Sequence, residues 1–156
     1  GCSPMGKVGT VLAFVVASAV ALLAFAPAGA SLAEAAHAIF GSMIDSGASE
    51  ATAALVPLIG TDAVMLILAF TISLLGGVKL PSGLPHVFFA LAIPFTLGAM
   101  QQRFFELVGN VGGIADTFGA VNFVVMFLAS IAAAQLGVHL ARWRHEAHEA
   151  TLATEV

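Results

Sequence analysis

Asp62 is the residue in this sequence best placed to do chemistry. It follows Gly60-Thr61, with Ala53-Ala54-Leu55-Val56-Pro57-Leu58-Ile59 before it and Ala63-Val64-Met65-Leu66-Ile67 after it. If Ala51–Gly77 forms one helix, this carboxylate lies inside a membrane. An ionisable group there costs several kcal/mol and by default marks a path for a proton, an ion or a solute. Pro57 and Gly60 would kink or break such a helix and free backbone carbonyls. In the plainer alternative, Thr61 or Asp62 caps a helix that starts at the outer interface, with residues 51–59 docked outside it. Arg103, at the outer end of the third apolar run, is a candidate partner for Asp62 on an ion or solute path, although Glu106 stands one turn from it.

His86 and His139 form a second candidate site. His86 opens one apolar run and His139 closes the next. Antiparallel helices would therefore bring both imidazoles to a similar depth. Two such histidines could ligate a haem iron axially or supply part of a metal site. Gln135, one turn before His139, could orient it. The plainer reading is a pair of interfacial histidines, and no other cofactor is implied. In the tail, Arg142 with Glu146 and His145 with Glu149 make ordinary i,i+4 pairs. His145 and His148 are three residues apart, not at the spacing of the zinc-protease helix. There is no phosphate-binding glycine loop and no dinucleotide fingerprint. Ser18, Ser73 and Ser130 have no histidine and acid beside them in sequence, and Thr96 reads as a partner for backbone freed by Pro94. An enzyme is not expected.

The elements that must position these residues are four long apolar runs: Val8–Pro27, Ala51–Gly77, Leu84–Met100 and Gly119–Ala141. Each approaches the roughly 20 helical residues that cross a hydrocarbon core of ~30 Å. Hydrophobic residues make up 60% and charged residues 9% of the chain, where a soluble domain carries about a quarter charged. The net charge of −4, with few basic residues, does not suggest a nucleic-acid partner, and the lipid bilayer is the expected one. The predicted fold is all-α: a polytopic integral membrane protein with a four-helix transmembrane bundle in a single transmembrane domain. The spans are set at about 7–27, 51–77, 84–106 and 119–142, with a tail over 143–156. Leu32, Ala36, Ile39, Phe40, Met43 and Ile44 recur at helical spacing, with Glu34, His37 and Asp45 on other faces. They predict an amphipathic helix over about 31–45, lying at the outer interface or packed on the bundle.

Four crossings place both termini and the 78–83 link on one side, which carries Lys7, Lys79, Arg142 and Arg144. The other side carries Arg103 among Glu34, Asp45, Glu50, Glu106 and Asp116. Positive residues collect in cytoplasmic loops, so the expected location is a bacterial-type inner membrane with both termini cytoplasmic. Trp143 would anchor helix 4 at the interface. The short link predicts a tight antiparallel hairpin of helices 2 and 3. Met5-Gly6-Lys7, the apolar stretch and Ala28-Gly29-Ala30 also fit a signal peptide, but the stretch is long and reads better as a retained helix. Cys2 is the lone cysteine; a lipidated Cys2 is the less favoured reading of a segment left out of fold reasoning.

Small residues recur every fourth position: Ala13, Ala17 and Ala21; Ala69, Ser73 and Gly77; Ala90 and Gly98 with Pro94 between them; Ala129, Ala133, Gly137 and Ala141. Such stripes let membrane helices approach closely. The expected role is a non-enzymatic membrane protein that acts as an oligomer, with itself or as a subunit of a larger complex. The alternatives are transport past Asp62 and a haem- or metal-bearing redox subunit using His86 and His139.

Overall fold

The computed structural model describes residues 4–155, so Cys2 and the question of its lipidation lie outside the described residues. Four long helices account for nearly all of that stretch: α1 (Pro4–Asp45), α2 (Glu50–Gly76), α3 (Leu84–Val108) and α4 (Ile114–Glu155), with a 3₁₀ turn at Val111–Gly113 before α4. All four are long and apolar enough to cross a membrane. The protein is an all-helical polytopic membrane protein built as a four-helix bundle.

Each helix packs on the one two places along the chain. α1 lies along α3, α2 lies along α4, and α3 meets α4 in the middle. The α1/α3 pair is parallel. Phe14 lies at Gly83, Phe25 stacks on Phe95 at 5.7 Å, Glu34 reaches Arg103 and Phe40 meets Phe104 at 6.0 Å. The α2/α4 pair is parallel too, with Asp62 at Asn122, Ser73 at Gly137 and Gly77 at Ala141. The α3/α4 seam is antiparallel: His86 meets Gln135, and Phe95 meets Phe123 at 5.5 Å. α2 and α3, although joined by a short turn, touch sparsely. The expected hairpin of those two helices is therefore a connection without a packed seam, because the small-residue face of α2 is filled by α4.

α1 is 42 residues long, about 63 Å at 1.5 Å per residue. The amphipathic stretch 31–45 is helical and keeps Ala33, Ala36 and Phe40 inward, but it continues α1 directly instead of forming a separate element. Ala28-Gly29-Ala30-Ser31 contains no stop signal. Pro27 removes only one N–H from the ladder, and α3 supports both sides of it. α1 ends instead at Gly47, where the amide of Ala48 bonds Met43 O at 3.0 Å and that of Gly47 bonds Ile44 O at 3.0 Å, closing the last turn. Ser49 then caps α2, its side chain accepting from the Thr52 amide at 3.3 Å.

Two glycines bring the pairs together. A Cβ on Gly29 would sit 2.6 Å from Ala99 Cβ and 2.8 Å from Thr96 O, so only glycine lets α1 lie this close to α3. A Cβ on Gly137 would sit 2.5 Å from Phe70 O, which fixes the approach of α4 to α2. The expected stripes survive in part. Ala69, Ser73 and Gly77 are buried, as are Gly137 and Ala141, but Ala129 and Ala133 are only half-buried. The buried face of α4 runs instead through Asn122, Met126, Ser130 and Ala134.

Candidate functional site

α2 runs unbroken from Glu50 to Gly76 with Ser49 as its cap, which sets aside the reading of Thr61 or Asp62 as a helix start. Pro57 and Gly60 lie inside a continuous helix. Thr61 Oγ1 donates back to Pro57 O at 2.7 Å, a mid-helix back-bond and not a cap. Asp62 therefore sits about 18 Å along α2 from its start, counting 1.5 Å per residue. Its side chain faces α4 and is buried, 8% exposed.

Its partner is Asn122. The amide Nδ2 of Asn122 donates to Asp62 Oδ1 at 3.2 Å, and Asn122 is likewise 8% exposed. Leu58 and Leu66, one turn to either side of Asp62, keep the surroundings apolar. An amide and a carboxylate facing each other between two helices satisfy part of one another's hydrogen-bonding capacity and pin the register of the α2/α4 seam. Beside the pair, a cleft of about 490 Å³ opens toward the start of α4, lined by Leu55, Thr117, Phe118, Val121 and Asn122. Asn122 is the residue that sequence reasoning missed. Its signal was present: an amide in the run Gly119–Ala141 needs a partner, and Asn122 lies four residues before Met126 and eight before Ser130 on one face.

Arg103 is not brought to Asp62. Its guanidinium lies 3.3 Å from Glu106 and 3.7 Å from Glu34, at the acidic end of the bundle, and all three side chains are about half exposed. Such an exposed pair of contacts is worth little, up to about 1 kcal/mol. Of the two residues expected on an ion or solute path, only Asp62 lies within the packed seam.

His86 and Gln135 form a bond between α3 and α4, Nε2 to Oε1 at 2.6 Å. With the amide oxygen as acceptor, Nε2 carries the proton, and the buried Nδ1 has no hydrogen-bond partner among the described residues. Gln135 thus orients His86 and not His139, which is exposed on α4. Among the described residues no group of three or more His, Cys, Asp or Glu is gathered as metal ligands would be. In the tail, His145 meets Glu149 at 3.1 Å, while the expected Arg142–Glu146 pair is not formed. Thr96 is buried without a side-chain bond to the backbone near Pro94; its carbonyl is instead the group that Gly29 approaches.

Comparison with protein families, with curated proteins and with solved structures finds no match. The chemistry of this chain is therefore read from its own side chains. Among the described residues they supply one buried carboxylate–amide pair across the α2/α4 seam, one histidine–amide bond across the α3/α4 seam, and an exposed ion cluster at the acidic end.

Proposed function

We propose that the protein is a non-enzymatic integral membrane protein that works by assembly, with itself or as a subunit of a larger membrane complex. The observation that supports this is an unused helix face. On the first half of α1, Val8, Val11, Val15 and Leu22 follow one another at spacings of three, four and seven, and all are exposed, at 67%, 63%, 59% and 42%. That is the repeat of a helix–helix seam, within a half of α1 where Leu12, Val16, Val20 and Leu23 are exposed as well. Val8, Val11, Leu12 and Val15 line a shallow groove of about 370 Å³ along it. β-branched side chains hold few rotamers to lose on packing, so this face suits a second helix in lipid, where tight dispersion contacts replace the hydrophobic force.

The test is cysteine cross-linking in native membranes with Cys2 replaced by serine. Val11→Cys and Val15→Cys should give a discrete cross-linked band, and Ala21→Cys, on the buried face of α1, should not. Equal labelling at all three positions, or a lone monomer in native mass spectrometry from mild detergent, would sink the assembly reading.

A second reading has its own support in the Asp62–Asn122 pair: movement of a proton, ion or small solute past Asp62. Asp62→Asn keeps the side-chain shape and should abolish flux in proteoliposomes while leaving the cross-linking pattern unchanged. The orientation follows from charge. Lys7, Lys79, Arg142 and Arg144 belong to one end of the bundle, which on the positive-inside rule faces the cytoplasm of a bacterial-type inner membrane. Reporter fusions at either terminus should be active only as cytoplasmic reporters.

A further inference from the structure

A second cleft, at the acidic end between α3 and α4, has the composition of a ligand site. It encloses about 490 Å³, in the range of small-molecule pockets. Gly98, Ala115 and Gly119 make the room by having little or no side chain. Phe105 supplies an aromatic wall, and Glu106 and Asp116 supply carboxylates from the two helices.

The decisive residue is Gln101. It lines this cleft, is 5% exposed, and its amide has no hydrogen-bond partner among the described residues. Its Oε1 lies 3.8 Å from the point where a Gly119 Cβ would be. The other buried amide in the bundle, Asn122, is bonded to Asp62. The amide atoms of Gln101 are not fully enclosed but reach the cleft, where an outside group can complete them. The charge balance is negative. Arg103 is shared between Glu34 and Glu106, while Asp116 makes no ion pair among the described residues.

We propose that this cleft binds an organic ammonium. The N⁺–H groups would donate to Gln101 Oε1 and to the Asp116 carboxylate, and the carbon skeleton would lie on Phe105, whose ring face also attracts a cation. A bare metal ion suits the cleft poorly, because two carboxylates and an amide leave most of a coordination shell unfilled and most of the lining is apolar. The cleft begins at Gly98, where the apolar run Leu84–Met100 ends. The same ammonium chemistry therefore reaches it from two sources: an ethanolamine lipid headgroup or a free amine.

The experiment uses the full chain in nanodiscs. Ethanolamine is titrated by calorimetry in phosphatidylglycerol discs, and lipid retention is read by native mass spectrometry from mixed phosphatidylethanolamine and phosphatidylglycerol. Saturable ethanolamine binding identifies a free amine as ligand. Selective retention of phosphatidylethanolamine without it identifies the headgroup. In either case Asp116→Asn should weaken binding at least tenfold, and Gly119→Val, which fills the cleft, should abolish it. Gln101→Leu separates site from structure, since it should lose binding while leaving helicity by circular dichroism intact. No saturable binding of either probe, or binding that all three variants retain, overturns the proposal.

Discussion

At the acidic end of the bundle the buried residues include large ones, Phe104, Met100, Leu97 and Leu58, set among Ala33, Ala36, Ala53 and Ala54. Toward the basic end the α2/α4 seam is made of small ones, Ser73, Gly77, Gly137 and Ala141, with Phe89 buried on α3. The surface of α1 differs between the two regions in the same sense, while Val56 and Ile59 of α2 are exposed beside Leu58. Outside the first lie Ser31, Glu34, His37, Ser42 and Asp45 of α1, and outside the second lie Val11, Leu12, Leu75 and Leu136. Polar surroundings give apolar side chains a reason to bury, at about 1.5–3 kcal/mol for a whole side chain. Lipid surroundings give none, so cohesion there comes from backbones close enough for many weak contacts. One chain uses a water-type core and a membrane-type seam along the same helices.

The sharpest way to break this contrast is Phe104→Ala. If water or headgroups surround the acidic end, the cost should be about 3–5 kcal/mol, read by detergent titration followed through helicity. A loss under ~1 kcal/mol would mean that lipid covers that end as well. Next in size, Gly137→Val drives a side chain into the Phe70 carbonyl and should cost about 1–3 kcal/mol in the same titration. The membrane-type seam is misread if valine there is tolerated.

Asn122→Leu tests the boundary between the regions. It leaves Asp62 buried with no partner and should cost about 1–3 kcal/mol, whereas the double change Asp62→Leu with Asn122→Leu should recover most of that loss. A double-mutant cycle with no coupling would show the 3.2 Å bond to be incidental. Smallest of all, Arg103→Gln should cost less than about 1 kcal/mol, and the difference should vanish in 1 M salt, where screening acts within about 3 Å. A larger, salt-independent effect would place Arg103 in the packed core after all.

Much of the fold was legible because membrane spans announce themselves by length and hydropathy. The bounds of α2 and α3 lie within two residues of the expected ones, since Ser49, Pro85 and Gly109 stand at their ends. What was hidden depends on partners. α1 continues through Ala28–Ser31 because α3 lies alongside, and no local signal carries that. The stripe on α4 was displaced for a geometric reason: at 3.6 residues per turn, a strict four-residue repeat drifts about 40° per step. The contact face therefore follows Asn122, Met126, Ser130 and Ala134 and then returns by a three-residue step to Gly137. Asp62 was visible because a lone acid in an apolar run stands out. Asn122 and Gln101 carried a weaker signal, because a neutral amide near the end of a span looks like a residue leaving the membrane.

The pairing of each helix with the one two places along bears on how the protein is made. A ribosome delivers α1 and α2 first, and neither has its close-packed partner until α3 and α4 follow. At roughly 5–20 residues per second, Gly77 must wait several seconds in the bilayer before Ala141 exists to meet it. During that interval the buried side of α2, Asp62 included, faces lipid or the insertion machinery. The last helix closes two seams at once, so a nascent chain stopped before α4 would hold α1 against α3 and leave α2 loose, a natural point for quality control to act.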